Sequence, residues 1–220
     1  MENVKVIESF VSWQGEGADI GKRMLILRFK KCNRNCIWCD TKLKMRISVE
    51  TELSLEKIQE IVNEEKCGIM ITGGEPTFDE NLNNVINLIN KIDCNLFNVE
   101  TNGYNLLSLI ERVNPNKNVH YSLSPKLFTK EDFEFYADLI KKIKHNVTVF
   151  LKIVYEEDKP IIITFLNFLQ SINFDNQRIF FMPEGKTKDE ILNHASIVFD
   201  AAERYKVNFS SREHIIYSFI

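Results

Sequence analysis

The sequence predicts an α/β fold with a largely parallel sheet, arranged as a partial, open β/α barrel. Short β-rich runs alternate with longer amphipathic runs through most of the 220 residues. The connections between these runs are short, and strand–helix repeats joined in this way form right-handed βαβ units. A closed eight-fold barrel usually needs about 250 residues, whereas this chain holds roughly six or seven repeats, so an open barrel is favoured.

The first half of the chain supplies the clearest repeats. Its strands are short apolar runs rich in β-branched residues, and its helices carry apolar side chains three and four positions apart. Serine and aspartate stand at the predicted helix starts, where their side chains can accept backbone N–H bonds. The expected elements are strand Val4–Phe10, strand Met24–Lys30, a helix from Ser54 to about Lys66, strand Gly68–Thr72, and a helix capped by Asp79.

The second half repeats the pattern. A Thr187-Lys188-Asp189-Glu190 capping box marks the start of its longest helix, which runs to about Tyr205. The other expected elements are strand Leu96–Glu100, helix Tyr104–Val113, strand His120–Leu123, helix Lys130–Lys144, strand Val147–Tyr155, a helix opening at residues 158–160, strand Arg178–Met182, and a last strand around Glu213–Tyr217. No linker or low-complexity stretch interrupts this series, so a single domain over residues 1–220 is expected.

Composition excludes several classes of protein. Twenty-eight basic and 31 acidic residues give a net charge of −3, which argues against a nucleic-acid binder that works by bulk positive charge. No apolar run reaches the roughly 18–20 residues of a membrane span, and the N-terminus does not have the pattern of a signal peptide. Three of the five cysteines crowd into one eight-residue window. That arrangement is not a disulfide framework and predicts a reducing cytoplasm.

The crowded cysteines, Cys32, Cys36 and Cys39, follow a predicted strand at C-x3-C-x2-C spacing. Three thiols on one loop can converge on a metal, although they could also be unrelated reduced cysteines. A structural zinc site needs a fourth protein ligand, and neither Cys67 nor Cys94 has a partner at zinc-site spacing. A cubane iron–sulfur cluster with three protein thiolates leaves one iron open to a small molecule. The spacing therefore favours a reactive cluster.

Further motifs follow later strands, at the ends where parallel α/β folds bind ligands. In Thr72-Gly73-Gly74-Glu75-Pro76, the glycines would let the backbone approach a ligand and the glutamate could accept from an amine, although the segment could also be an ordinary turn. Similar polar segments end three later strands: Glu100-Thr101-Asn102-Gly103, Ser122-Leu123-Ser124-Pro125-Lys126 and Met182-Pro183-Glu184-Gly185.

The cysteine spacing resembles the signature of radical S-adenosylmethionine (SAM) enzymes, and Thr-Gly-Gly-Glu-Pro matches their motif for the methionyl amino group. Ser12-Trp13-Gln14-Gly15-Glu16-Gly17, Arg28, Asp40-Thr41, Ser-Pro-Lys and Met-Pro-Glu-Gly narrow the resemblance to the 7-carboxy-7-deazaguanine synthase family. It runs from about Phe10 to His214, nearly the whole chain.

This resemblance implies a ring contraction on the pathway to queuosine and other 7-deazapurines. A 5′-deoxyadenosyl radical, made from SAM at a 4Fe-4S cluster, would take a hydrogen atom from 6-carboxy-5,6,7,8-tetrahydropterin. The substrate would rearrange, lose ammonia and become 7-carboxy-7-deazaguanine, with SAM regenerated and Mg2+ required. Two alternatives remain open: a glycyl-radical-type activating enzyme, and a non-enzymatic iron–sulfur or metal-binding module.

The resemblance also implies roles for particular residues. The cluster ligands would be Cys32, Cys36 and Cys39, and Thr41 would contact Mg2+. Substrate would be bound by Trp13, Gln14, Gly15, Glu16, Arg28, Thr72 and His214. SAM would be bound by Trp38, Cys39, Asp40, Gly74, Glu75, Ser124, Pro125, Lys126, Met182, Pro183, Glu184 and Gly185. The implied partners are the pterin, an electron donor such as flavodoxin or ferredoxin, and a second copy of the chain in a homodimer, with no nucleic acid or membrane.

A few residues depart from the family pattern or have a simpler interpretation. Met182 stands where family members commonly have glutamine, which puts a side-chain contact with adenine in doubt. Arg28 could form a salt bridge beside the sheet, and Trp38 could be a core aromatic. His214 could be a structural residue as readily as a ligand of the substrate, whereas the other three histidines and the remaining two cysteines are expected to be structural.

Overall fold

The computed structural model describes residues 2–36, 39, 41–157 and 159–219. The described strands are β1 Asn3–Val6, β2 Glu8–Trp13, β3 Arg23–Phe29, β4 Thr51–Ser54, β5 Gly68–Gly73, β6 Phe97–Thr101, β7 Val119–Leu123, β8 Val149–Tyr155, β9 Ile179–Pro183 and β10 Asn208–Phe209. The described α-helices are α1 Lys42–Ile47, α2 Leu55–Glu65, α3 Asp79–Lys91, α4 Leu106–Arg112, α5 Lys130–Lys142, α6 Pro160–Ser171, α7 Lys188–Tyr205 and α8 Glu213–Ile216.

The chain divides into two compact units, one of Met1–Gln14 with Asp19–Tyr121 and one of Gly15–Ala18 with Ser122–Ile220. The expectation of a single domain over residues 1–220 stays a prediction.

The sheet of the first unit is mostly parallel. β3 pairs in parallel with β5, β5 pairs in parallel with β6, and β2 runs antiparallel to β3. The register places Arg28 of β3 opposite Thr72 of β5 and Phe29 opposite Gly73. Each parallel strand therefore ends beside its neighbour, and the loops that follow them lie at one edge of the sheet.

The first unit is held by a core of branched aliphatic side chains. Strand residues such as Leu27, Ile71 and Val99 are fully buried, and burying one such side chain contributes about 1.5–3 kcal/mol. Helix α2 adds Ile58 to this core, and its first turn is capped by Ser54, whose hydroxyl accepts from the Lys57 N–H at 3.1 Å. The predicted cap and apolar face of this helix are confirmed.

The second unit has parallel strands β8, β9 and β10 with longer helices. Thr187 and Glu190 form the predicted reciprocal capping box at the start of α7, and Thr129 and Asp132 form a second one at the start of α5.

In the described part of the chain, β2 and β10 each pair with a single neighbouring strand. The prediction of an α/β fold with a largely parallel, open sheet is confirmed.

Some predicted element boundaries were wrong. The expected strand Val4–Phe10 is two strands, because the extended strand is interrupted at Ile7. The Ile7 N–H donates to the Arg28 carbonyl at 2.8 Å. β1 instead pairs with β4 in a separate antiparallel ribbon. Asp79 lies inside the first turn of α3 rather than capping it, since Phe78 holds the cap position.

The expected last strand at 213–217 is also wrong. This segment is the short helix α8, in which the Tyr217 N–H donates to the Glu213 carbonyl at 2.9 Å. The β-branched pair Ile215-Ile216 favours a strand by propensity, but contacts made by the preceding residues with Gly15 and Glu16 override that preference.

Among the described residues, no helix has the length and apolar character needed to cross a membrane.

Candidate active site

The cysteine loop lies at the carboxyl end of β3, the position predicted for it. Cys32, Cys36 and Cys39 are not in disulfide bonds and are of intermediate burial. Trp38 and Asp40 lie outside the described residues, so their roles stay predictions.

The sulfurs of this loop have polar neighbours. The Arg34 backbone N–H donates to Cys32 Sγ at 3.4 Å, Asn102 Nδ2 donates to the same sulfur at 3.9 Å, and Cys39 Sγ lies 3.4 Å from Thr41 Oγ1. Burial raises the pKa of Cys32, the Arg34 N–H opposes that rise, and the charges of Glu75, Cys36 and Cys39 add to it. The three thiols are therefore within electrostatic reach of one another.

This donor set fits an iron–sulfur cluster, since clusters take thiolate ligands and are tuned by hydrogen bonds to the sulfurs. Within the residues that the structure describes, however, no three Cys, His, Asp or Glu side chains are grouped closely enough to hold a metal ion. Convergence of the thiols on one cluster therefore stays a prediction.

The Thr-Gly-Gly-Glu-Pro segment packs against the chain that leads into the cysteine loop. The Gly74 N–H donates to the Phe29 carbonyl at 2.8 Å, and the Glu75 N–H donates to the Lys31 carbonyl at 2.6 Å. A Cβ on Gly74 would lie 2.0 Å from the Lys31 carbonyl oxygen. The glycines thus let two stretches of backbone meet, so that this segment fixes the start of the cysteine loop.

Replacing Gly73 by alanine is expected to lower the free energy of unfolding by at least about 3 kcal/mol. Its φ is +120°, and an added Cβ would stand 2.3 Å from both the N and the O of Phe29. Gly21→Ala is the matched control, because Gly21 has φ +79° but no atom within 4 Å of an added Cβ. Only the backbone strain, about 1 kcal/mol, is expected there. Equal losses in urea unfolding of the two variants would contradict the proposed close packing.

Glu75 is a buried centre of hydrogen bonds, with 1% of its surface exposed. Its Oε1 accepts from the Thr77 N–H at 3.1 Å and from the hydroxyls of Thr77 and Thr101, both at 2.6 Å. Its Oε2 accepts from the Asn102 N–H at 2.6 Å. Burial raises the pKa of Glu75, and these donors oppose the rise. The carboxylate therefore joins the loop after β5 to the loop after β6.

Thr41 stands where the cysteine loop meets helix α1. Its hydroxyl donates to the Gly73 carbonyl at 3.4 Å and lies at the same distance from Cys39 Sγ. A hydroxyl oxygen is a suitable ligand for a hard cation such as Mg2+.

Arg28 is a buried member of a chain of ion pairs that connects β3, β2 and α1. Its Nε donates to Glu8 Oε2 at 2.6 Å, and the Lys44 ammonium lies 2.9 Å from Glu8 Oε1. The salt bridge considered for Arg28 is therefore present. Thr72, its partner position on β5, is of intermediate burial.

Gln14 begins a polar network inside the first unit. It is 2% exposed, and its Nε2 donates to Asn98 Oδ1 at 3.1 Å and to Glu100 Oε1 at 2.8 Å. Asn98 donates in turn to Asp19, which is also paired with His120 at 2.9 Å. Gln14 is thus held in one orientation, whereas the preceding Trp13 is 51% exposed.

Glu16 is the centre of an ion cluster in the second unit. Lys152 Nζ lies 2.7 Å from Oε2, Arg212 Nε lies 2.9 Å from Oε1, and His214 Nε2 lies 3.7 Å from Oε1. Burial raises the pKa of Glu16, but Lys152, Arg212 and His214 outweigh it and hold that pKa well below its usual range. Glu16 is therefore a carboxylate.

Gly15 and Gly17 bring this loop against its neighbours. A Cβ on Gly15 would lie 2.6 Å from His214 Nδ1, and one on Gly17 would lie 2.8 Å from Lys152 Cδ. The Gly17 N–H also donates to Ser210 Oγ at 2.7 Å. The glycines at these positions are explained by close packing.

The remaining predicted residues of the second unit follow β7 and β9. Lys126 Nζ donates to Ser124 Oγ at 2.7 Å, and Pro125 between them is buried. After β9, Met182, Pro183 and Gly185 are buried and Glu184 is half-buried. The Glu184 carbonyl contacts His194 Nδ1 at 2.8 Å, and the Gly185 carbonyl accepts from Arg212 Nη1. Both segments are thus fixed by their own neighbours.

Sequence reasoning missed several partners of the predicted residues. Glu8, Lys44, Asp19 and Lys152 were not singled out. The signal for Lys152 was a charged residue inside the apolar run Phe150–Val154, because a lysine inside a buried strand needs a partner. The signal for Glu8 was similar but weaker, since β2 is an edge strand with half-buried positions.

Comparison with protein families gives a match to the radical SAM superfamily over residues 26–166. Curated 7-carboxy-7-deazaguanine synthases are among the relatives. That of Hyperthermus butylicus is 24% identical over 97% of this chain and 92% of its own, and that of Pyrobaculum aerophilum is 27% identical over 97% and 94%. That of Clostridium acetobutylicum is 37% identical, but the match spans 46% of this chain and only 47% of the relative.

Solved structures share the fold. The crystal structure of QueE from Escherichia coli has a TM-score of 0.64 and 20% identity, covering 96% of this chain and 95% of that one. Streptococcus suis SuiB bound to S-adenosylmethionine has a TM-score of 0.58 and 16% identity, covering 84% of this chain and 49% of that one. At these identities the likeness shows the fold alone.

Proposed function

The chain belongs to the radical SAM superfamily, and on that premise we propose that it converts 6-carboxy-5,6,7,8-tetrahydropterin to 7-carboxy-7-deazaguanine with loss of ammonia. The observation that carries the proposal is the ordered motif set: Q-G-E-G after β2, C-x3-C-x2-C-D-T after β3, T-G-G-E-P after β5 and S-P-K at the end of β7. The name of the relatives that match along nearly the whole of both chains, 7-carboxy-7-deazaguanine synthase, supports this product.

The superfamily implies a 4Fe-4S cluster and SAM, and we assign the cluster to Cys32, Cys36 and Cys39. When bound, the cluster would supply the electron that cleaves SAM to the hydrogen-abstracting radical. The chain's own contribution is to hold the loop. Hydrogen bonds from Gly74 and Glu75 fix the backbone before Cys32, and the Arg34 and Asn102 donors reach the Cys32 sulfur.

We assign SAM to a group of residues at strand ends: Trp38, Cys39, Asp40, Gly74, Ser124, Pro125, Lys126, Met182, Pro183, Glu184 and Gly185. Glu75 belongs to this group through its loop. Because four protein donors already reach its carboxylate, its part is to keep the loops after β5 and β6 in place. Lys126, whose ammonium is tied to Ser124, would bring positive charge to the SAM carboxylate.

We assign the pterin to Trp13, Gln14, Gly15, Glu16, Arg28, Thr72 and His214. Glu8 takes the Nε side of Arg28, so the Nη side is assigned to the substrate carboxylate, to which a guanidinium is suited. Gln14, oriented by Asn98 and Glu100, and Glu16, ionised in its cluster, would bind polar edges of the ring.

Mg2+ is assigned to the Thr41 hydroxyl. Replacing Thr41 by alanine is expected to raise the Mg2+ concentration for half-maximal activity by about 10-fold, because one oxygen ligand is lost. Thr41→Ser keeps that oxygen and should retain most of the dependence. Titration of activity with Mg2+, at equal bound iron in both variants, measures the effect. An unchanged Mg2+ requirement in Thr41→Ala would remove Thr41 from the metal site.

We place the enzyme in a reducing cytoplasm, because cysteines that ligate a cluster must stay reduced. Its partners in this proposal are the small pterin, an electron donor such as flavodoxin or ferredoxin, and a second copy of the chain in a homodimer. Nucleic acid and membrane are not among them.

Turnover of reconstituted protein tests the function. Anaerobic protein given reductant, SAM, Mg2+ and 6-carboxy-5,6,7,8-tetrahydropterin should yield 7-carboxy-7-deazaguanine by mass spectrometry, with product in excess of 5′-deoxyadenosine because SAM is regenerated. An intact cluster without product would reject the substrate. Stoichiometric consumption of SAM would favour the activating-enzyme alternative. If added SAM leaves the electron paramagnetic resonance signal of the cluster unchanged, the non-enzymatic module is favoured.

A further inference from the structure

Lys152 is a lysine in the middle of a buried strand, which requires an explanation. Its side chain is 3% exposed, and it lies on β8 among apolar residues. A buried ammonium persists only when it is paired, because desolvation of an isolated charge is very costly. Its partner is Glu16, at 2.7 Å. The buried charge on this strand is thus matched by a carboxylate of the Q-G-E-G motif.

Arg212 gives the same carboxylate a second contact and links it to another segment. Its Nε lies 2.9 Å from Glu16 Oε1, whereas its Nη1 donates to the carbonyl of Gly185. Gly185 ends the Met182–Gly185 segment assigned above to SAM. One guanidinium therefore touches both a residue assigned to the substrate and a segment assigned to the cofactor.

We propose that Lys152 and Arg212 are positioning residues for substrate binding: together they fix both oxygens of an ionised Glu16, and Arg212 couples that carboxylate to the Met182–Gly185 segment. The inference rests on the proposed function, which assigns Glu16 to the pterin. Neither cation needs to touch the substrate, since each acts through Glu16 or through Gly185.

The arrangement has a direct consequence for pH dependence. Lys152 from β8, Arg212 just before α8 and His214 from α8 face Glu16. They outweigh burial and lower the pKa of Glu16. Stability from this pairing is therefore present above the ordinary glutamate pKa and lost as pH falls through the lowered folded value. Without Lys152, fewer positive charges offset the effect of burial, so the pKa of Glu16 rises.

The ionisation of Glu16 can be measured without turnover. In full-length protein labelled with 13C at the glutamate carboxyls, the Glu16 resonance is identified by its loss in Glu16→Gln. In wild type it should titrate below the ordinary glutamate range, in Lys152→Met clearly higher, and in Lys152→Arg again low. Titration of Glu16 at the same pH in wild type and Lys152→Met would overturn the role of Lys152.

Steady-state kinetics tests the effect on substrate. In Lys152→Met, KM for the pterin should rise about 10- to 100-fold, with a smaller change in kcat. This is the effect expected when the charge-assisted contact between Glu16 and the pterin is weakened. The acid limb of kcat/KM should move to higher pH, a shift that a purely structural defect would not produce. Lys152→Arg should restore most of the affinity. A fall in kcat alone, with KM and the pH profile unchanged, would contradict the proposal.

Arg212→Lys tests the coupling and does not depend on the folding of Lys152→Met. It keeps the charge, so the Glu16 pKa should stay low. An ammonium, however, lacks the separate Nε and Nη donors with which the guanidinium contacts both Glu16 and the Gly185 carbonyl. KM should rise for both SAM and the pterin, whereas a change in neither would overturn the coupling. If wild type fails to convert the pterin, the proposed function is wrong, and the carboxyl titration still decides whether Lys152 controls Glu16.

Discussion

Replacement of Cys36 by alanine is expected to abolish turnover and to reduce bound iron and sulfide to background. The loop supplies three thiols at C-x3-C-x2-C spacing. A cluster held by three protein ligands has no spare one, so the loss of any thiolate exposes a second iron. Iron and sulfide assays after anaerobic reconstitution, with the absorbance spectrum, measure the outcome, and 5′-deoxyadenosine formation reports on the chemistry.

Cys94→Ser is the matched control for this prediction. Cys94 is also a free thiol of intermediate burial, but its sulfur donates to the Leu96 carbonyl at 3.2 Å, away from the cysteine loop in sequence. Its replacement should leave iron content and turnover near those of wild type. Full iron loading in Cys36→Ala, or loss of iron in Cys94→Ser, would reject the assigned ligand set.

Glu75→Ala is expected to lower the free energy of unfolding by about 3–5 kcal/mol. The alanine would leave four donors, from Thr77, Thr101 and Asn102, without the carboxylate that they now share. Each unsatisfied buried donor costs about 1–3 kcal/mol, and partial rearrangement reduces the sum. Urea unfolding monitored by circular dichroism measures the loss.

Glu80→Ala controls for the loss of a nearby glutamate. Glu80 pairs with Lys31 in a bridge whose side chains are 65% and 43% exposed, and such surface pairs contribute about 0–1 kcal/mol. Glu75→Ala should also weaken SAM binding, because the loops after β5 and β6 lose their common acceptor. Similar stabilities for the two variants would show that Glu75 does not organise these loops.

The alternating framework of the fold could be predicted because its signals are local. Helices α2 and α7 have a capping side chain and an apolar face, and both signals lie within about a dozen residues. The ribbon of β1 and β4 was missed because its partners are 45 or more positions apart in sequence. Helix α8 was predicted as a strand because its two consecutive isoleucines have a high β propensity, and the contacts that override this propensity come from distant parts of the sequence.

The site was predictable to the extent that it consists of motifs. The cysteine loop and the Gly-Gly-Glu segment lie at strand ends, as expected. The ion-pair partners of the charged site residues were not predictable. The pairing of Glu16 with Lys152, and of Arg28 with Glu8, depends on the folded geometry rather than on sequence spacing. The burial of Glu75 is similar: the motif identifies the residue, but only the fold shows that the protein itself satisfies its carboxylate.

The contact of Gly17 with Ser210 has a consequence for the biosynthesis of the protein, since 193 positions separate the two residues. A ribosome adds about 5–20 residues per second, so about 10–40 s pass between the synthesis of one partner and of the other. During that interval Ser210 and Arg212 do not yet exist, so the Gly17 N–H lacks its acceptor and the Glu16 carboxylate lacks the Arg212 cation. The contacts of Gly17 and Glu16 in the second unit therefore form only after Ser210 and Arg212 have been synthesised.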